Sequence, residues 1–199
     1  MKRFDIINHF IKKYNYKSYL EIGTQLDRCI VEVKCEHKTG VDPSPEHRIE
    51  ESCDWFYELT SDEFFATNKY GYDIIFVDGL HHSNQVIEDI NNALLVLNEG
   101  GTIIVHDCNP LSELSQRVPM PHVEDWNGDV WKVWIHFRKY DNLKMFVVNE
   151  DQGCGVIQKG KTEDILNLNE RLISYEQFNE HRIKWLNLID FKDIDKWLK

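Results

Sequence analysis

The pattern of apolar and polar positions predicts short buried strands that alternate with amphipathic helices. Residues 73–78 form a nearly unbroken apolar run, which is typical of a parallel strand covered on both faces. Apolar residues recur at helical spacing over 86–97, with Ser83 as a candidate N-cap, and the glycines at 100–101 are expected to end this helix. Residues 102–106 are expected to form a second buried strand. Together these segments predict one right-handed βαβ unit.

Similar patterns on both sides of this unit predict an α/β fold. Further strands are expected at 19–23, 38–42 and 55–59, with an antiparallel pair at 143–148 and 153–158. Helices are expected at 1–15, 26–34, 47–52, 63–69, 128–138 and 174–199, two of them opened by capping boxes. Residues 108–128 lack periodicity and form a candidate lid loop. One domain spanning 1–199 is predicted, because no repeat or linker interrupts the chain.

Polar residues follow the two strands of the βαβ unit. In parallel sheets, ligands bind beyond the carboxyl ends of the strands. The residues expected at that edge are Asp78, His81, His82, His106, Asp107 and Cys108. In addition, Asp42 stands 21 residues after Glu21. This is close to the offset between a nucleotide-binding turn and the carboxylate that binds ribose hydroxyls.

Composition narrows the classes of partner. The formal net charge is −11, and no cluster of Lys or Arg offsets it, so nucleic acid and anionic membranes are unfavourable partners. No apolar run reaches the length of a membrane span, and the first residues lack the apolar core of a signal peptide. The five scattered cysteines predict reduced thiols in a cytoplasmic protein.

Six motifs together resemble the class I S-adenosylmethionine-dependent methyltransferases. They are YLEIG, GVDPSP, TSDEFF, DIIFVDGLHH, EGGTIIVHDCNP and GDVWK, and the resemblance covers 19–158. Their order is similar to that of small O-methyltransferases from sugar and polymer gene clusters, and of the metal-assisted enzymes that act on catechols and macrolide sugars. The resemblance implies a Rossmann-like, doubly wound, seven-stranded, mostly parallel sheet with an antiparallel C-terminal strand pair.

The resemblance also assigns roles by motif position. The residues implied to bind S-adenosylmethionine are Glu21, Gly23, Asp42, Ser61, Asp62 and Asp78. The residues implied to bind a divalent metal, Mg or Mn, are Asp78, His106 and Asp107. His81, three residues after Asp78, stands where related enzymes carry a Lys or His base, and Asp78 would share the catalytic role.

Two positions depart from the family pattern. The first loop reads Gly23-Thr-Gln-Leu-Asp27, so it lacks the second glycine that allows close approach to a ligand. His106 stands where an acidic or amide residue is usual. Imidazole suits manganese, iron or zinc better than magnesium, so a bound metal need not be magnesium.

Simpler roles remain open for several of these residues. Asp78 could cap a turn, His106 could bond to backbone, and His82 could be solvated. Aromatic Trp126 and Trp131 could line an acceptor pocket, whereas Trp134 is expected in the core.

The function predicted is O-methylation of a sugar, a nucleotide-linked sugar or another small hydroxylated acceptor, and a homo-oligomer is left open. The alternatives are an N-methyltransferase, a metal-independent methyltransferase, an NAD-dependent dehydrogenase and a silent cofactor-binding module. The dehydrogenase is disfavoured because the first loop lacks G-x-G-x-x-G.

Overall fold

The computed structural model describes residues 1–26, 28–45, 52–123 and 125–198. The chain divides into two compact units. Unit 1 comprises the described residues of Met1–Leu80 and Ile87–Ile104, and unit 2 those of His81–Val86 and Val105–Lys199.

Unit 1 contains the first five strands and two complete helices. The strands are β1 (Ser18–Ile22), β2 (His37–Val41), β3 (Trp55–Tyr57), β4 (Tyr72–Val77) and β5 (Leu97–Val105, whose last residue belongs to unit 2). The helices are α1 (Arg3–Tyr14) and α2 (Ser61–Thr67), together with α3 (Ser83–Val96) from Ile87 onward. The strand order is β3-β2-β1-β4-β5. This order is that of a doubly wound sheet, in which the chain crosses over after β3.

The registers of the parallel strands place three strand ends at one edge. β1 pairs in parallel with both β2 and β4, and Ile22 is opposite Val41 on one side and Val77 on the other. The next residue of each strand is therefore at the same edge, and these residues are Gly23, Asp42 and Asp78. Asp42 and Asp78 therefore lie at the same end of the sheet.

Unit 2 contains the C-terminal strands and helices. Its elements are α4 (Trp131–Phe137), β6 (Leu143–Val148), β7 (Cys154–Lys159), α5 (Tyr175–Leu186), β8 (Leu188–Ile189) and α6 (Ile194–Trp197), with 3-10 helices at Glu170–Leu172 and Phe191–Asp193. β6 pairs antiparallel with β7 and parallel with β8. Trp134 in α4 is fully buried, and its Nε1 donates to the carbonyl oxygen of Leu186 at 3.1 Å. Trp134 is therefore a core residue, as expected.

The predicted fold class is confirmed, with eight strands among the described residues in place of seven. The two capping boxes are also confirmed, because Thr60 pairs with Glu63 and Ser174 with Gln177. None of the helices in the described ranges is long and apolar enough to cross a membrane. The single-domain assignment stays a prediction.

Several predicted boundaries were wrong. The described residues of 26–34 form turns and irregular backbone in place of a helix, consistent with the β-branched residues in that stretch. The glycines at 100–101 do not end α3, because β5 already begins at Leu97 and runs through them. The segment 174–199 is not one helix, since Asn187 takes a left-handed conformation and ends α5. The helix expected at 47–52 lies almost wholly outside the described residues.

Candidate functional site

The turn after β1 requires a glycine. Gly23 has a φ of 87°, and a Cβ atom there would lie 2.2 Å from the backbone oxygen of Asp78. The amide of Gly23 donates to the Val41 oxygen at 2.8 Å, and that of Asp78 donates to the Ile22 oxygen at 2.9 Å. The backbones of three strand ends are therefore in close contact, which leaves no room for a side chain at Gly23.

Gln25 occupies the position of the missing second glycine. Its φ is 40°, so it adopts the left-handed conformation that glycine adopts most readily. Its amide donates to Asp42 Oδ2 at 2.8 Å, and the amide of Ser44 donates to Asp42 Oδ1 at 2.8 Å. Asp42 is thus held in a fixed orientation at the end of β2, as a ribose-binding carboxylate would need to be.

Glu21 is a buried carboxyl group inside β1. It accepts a hydrogen bond from the Tyr19 hydroxyl and is 1% exposed. Burial raises the pKa of Glu21 to about 8, and the negative charge of Asp78 acts in the same direction. Burial likewise raises the pKa of the Tyr19 hydroxyl. Glu21 therefore lies beneath the turn, two residues before Gly23, in a setting that favours its protonated form.

Asp78 forms an ion pair with Arg3 at the start of α1. The contact joins Arg3 Nη1 and Asp78 Oδ2, and the Arg3 side chain is 29% exposed. Ser61 and Asp62 lie in the first turn of α2, four and five residues after β3 ends. The cofactor residues predicted from the sequence all belong to unit 1.

In unit 2, His81 is oriented by two groups. Its Nδ1 lies 3.0 Å from the carbonyl oxygen of Trp126, and its ring stacks on the indole with 5.0 Å between centroids. Because a carbonyl oxygen only accepts hydrogen bonds, Nδ1 carries the hydrogen. Nε2 then faces Asp107 Oδ2 at 3.3 Å. Neutral His81 therefore has a proton-accepting nitrogen next to a carboxylate.

Asp107 is buried and held by three side chains. Its Oδ2 lies 2.8 Å from His106 Nδ1 in addition to the contact with His81, and its Oδ1 accepts from Asn127 Nδ2 at 2.9 Å. Its φ of 63° is uncommon for a residue other than glycine. His106 Nε2 lies 3.8 Å from Asp151 Oδ2. The backbone and three neighbours fix the direction of this carboxylate.

Four contributors to these two groups of residues, two in each unit, were not identified from the sequence. They are Arg3, Gln25, Asn127 and Gly128. A Cβ atom on Gly128 would lie 1.8 Å from the His81 oxygen, so glycine is required there. The Asn127-Gly128 pair inside the candidate lid was the one sequence signal for a tight turn at this place.

Part of the chain matches a known family of protein domains. Residues 20–108 match a family model described as a methyltransferase domain. No curated protein sequence matches the chain. The resemblance to methyltransferases predicted from the sequence is therefore confirmed as a match over residues 20–108.

Three solved structures illustrate the likeness in fold. The SAH-bound methyltransferase PaMTH1 from Podospora anserina has 15% identity and a TM-score of 0.62, with 80% of this chain and 78% of that chain covered. The SAH complex of an O-methyltransferase from Bacillus cereus has 15% identity and a TM-score of 0.55, with 78% of each chain covered. TomG from Streptomyces achromogenes, in complex with SAM, has 12% identity and a TM-score of 0.57, with 79% of each covered. At these identities the likeness establishes the fold.

Proposed function

We propose that this chain is an S-adenosylmethionine-dependent O-methyltransferase for a small hydroxylated acceptor. The observation that carries the proposal is the orientation of His81 by Trp126 and Asp107. With its hydrogen on Nδ1, neutral His81 can accept a proton at Nε2, and the neighbouring carboxylate can stabilise the imidazolium that forms.

The cofactor is proposed to bind at the strand ends of unit 1. Glu21 and Gly23 would lie next to the methionine part of the cofactor. Asp42 would bind the ribose hydroxyls. Ser61 and Asp62 would contact the adenine end. Support comes from the shared edge of Gly23, Asp42 and Asp78 and from the methyltransferase-domain match.

The proposed reaction moves a methyl group from the sulfonium to an acceptor oxygen. The hydroxyl proton passes to His81 Nε2 as the O–CH₃ bond forms and the S–CH₃ bond breaks, leaving S-adenosylhomocysteine. The resulting imidazolium is stabilised by Asp107, whose carboxylate is oriented by His106 and Asn127. The proton is then released to solvent.

We also propose that a divalent ion binds. The hydrogen bonds that the Asp107 carboxylate accepts leave room for an ion on it. A carboxylate has about four acceptor positions, and the donors of His106 and Asn127 occupy two of them, whereas Nε2 of neutral His81 carries no hydrogen to donate. A bound ion would lower the pKa of a hydroxyl that it coordinates. Asp78, His106 and Asp107 remain the proposed ligands, and imidazole favours manganese over magnesium.

The acceptor is proposed to be a sugar or a nucleotide-linked sugar. Trp126 supports this choice, because its indole lies beside His81, the proposed base, and aromatic side chains suit contact with a sugar ring. Its position inside the candidate lid, residues 108–128, would bring it to an acceptor. The cytoplasmic location and the homo-oligomeric state stay predictions.

The test is methyl transfer from labelled S-adenosylmethionine to a panel of nucleotide-linked sugars, with and without a chelator. We expect His81→Ala to reduce turnover by about 10²–10⁴-fold, because the proton acceptor is lost. The adjacent His82→Ala is the control and should keep wild-type turnover. Equal turnover of His81→Ala and the wild type would contradict the base assignment, and unchanged turnover with chelator would contradict the metal.

A further inference from the structure

We propose that Arg3, at the start of α1 and beside Asp78, binds the α-carboxylate of the cofactor's methionine part. This inference rests on the proposed function, because it assumes that S-adenosylmethionine binds at the strand ends of unit 1. It assigns to the start of α1 a role that no motif indicated.

The position of Arg3 is the first support. Its guanidinium contacts Asp78 Oδ2, and Asp78 is the residue whose backbone packs directly against Gly23. Asp78 is largely buried, with 13% of its side chain exposed, whereas 29% of the Arg3 side chain is exposed. The guanidinium is therefore next to the turn and accessible to a ligand.

The charges at this edge are the second support. The strand ends carry the acidic residues Asp42 and Asp78, on a chain with a net charge of −11. A ligand carboxylate would be repelled there unless a cation faced it. The positive charge of Arg3 acts at this edge of the sheet. It lowers the pKa of the Glu21 carboxyl, although burial raises that pKa by more.

The chemistry of Arg3 matches the ligand. The amino-acid end of S-adenosylmethionine carries a carboxylate, and the Arg3 guanidinium is a group of opposite charge next to the turn. A guanidinium has five N–H donors in a planar fork that suits a carboxylate. Lysine keeps the charge but lacks the fork, so it should replace arginine only in part.

The experiment measures binding of two ligands by calorimetry. S-adenosylhomocysteine contains the carboxylate, and S-adenosyl-3-thiopropylamine is the same molecule without it. The proteins are the wild type, Arg3→Gln, Arg3→Lys and the control Lys12→Gln, which removes one exposed positive charge from the same helix.

We expect Arg3→Gln to weaken S-adenosylhomocysteine binding by about tenfold or more, and binding of the amine by less than about twofold. Arg3→Lys should fall between, and Lys12→Gln should match the wild type. Equal weakening of both ligands, or of neither, would overturn the inference. If the wild type bound neither ligand, the proposed function itself would fail, and the inference with it.

Discussion

At the scale of single residues, the site depends on backbone contacts that exclude a side chain. Gly23 and Gly100 both have a positive φ, of 87° and 75°. They differ in their surroundings, because a Cβ atom on Gly23 would overlap the Asp78 backbone, whereas one on Gly100 would have nothing within 4 Å. Substitution of the two glycines therefore distinguishes two losses of stability: one from the left-handed backbone conformation, and one from steric overlap of the new side chain.

We predict that Gly100→Ala lowers the free energy of unfolding by about 1 kcal/mol, from the left-handed conformation alone. Gly23→Ala should lower it by at least about 2 kcal/mol more, because a strand end must move. Urea unfolding of both variants measures the difference. Equal losses would show that the turn tolerates a side chain.

The buried carboxyl of Glu21 predicts a pH dependence of stability. Its pKa is about 8 in the folded protein, against an ordinary value of 4.5. Between these values the unfolded chain loses the proton and the folded chain keeps it, so stability falls as pH rises. The slope contributed by this group should approach about 1.4 kcal/mol per pH unit, flattening above pH 8.

Urea unfolding at several pH values tests this dependence. Glu21→Gln should remove that part of the slope, because glutamine does not ionise. The exposed Glu99→Gln is the matched control and should keep the wild-type slope. A slope that Glu21→Gln leaves unchanged would assign the dependence to other groups.

At the scale of elements, the start of α3 is capped by a residue far along the chain. Ser83 donates to Asp129 twice, from its amide to Oδ1 at 2.7 Å and from its hydroxyl to Oδ2 at 2.9 Å. We predict that Asp129→Ala costs about 1–2 kcal/mol in unfolding free energy, as the loss of a helix cap does. Asp129→Asn keeps an acceptor and should cost less. An Asp129→Ala protein as stable as the wild type would exclude this capping role.

Sequence patterns predicted the elements better than their ends. The buried runs at β1, β4 and β5 and the capping boxes depend on local chemistry, which a sequence displays. The junction between α3 and β5 was misplaced, because Gly100 looks like a helix end although it lies in a strand. Partners distant in sequence, such as Arg3 with Asp78, carry no local signal.

At the scale of the whole molecule, the chemistry divides between the two units. Unit 1 carries all the residues proposed to bind the cofactor. One of them, Asp78, is also a proposed metal ligand. Unit 2 carries His81, His106 and Asp107, which are proposed to act on the acceptor. Cofactor binding and proton transfer should therefore be separable by mutation.

Calorimetry with S-adenosylhomocysteine and with NADH tests the central claim, that the strand ends of unit 1 bind S-adenosylmethionine. We predict that S-adenosylhomocysteine binds and NADH does not, that Asp42→Asn weakens binding by about tenfold or more, and that His81→Ala leaves it unchanged. Tighter binding of NADH, or S-adenosylhomocysteine binding that Asp42→Asn does not change, would contradict the account.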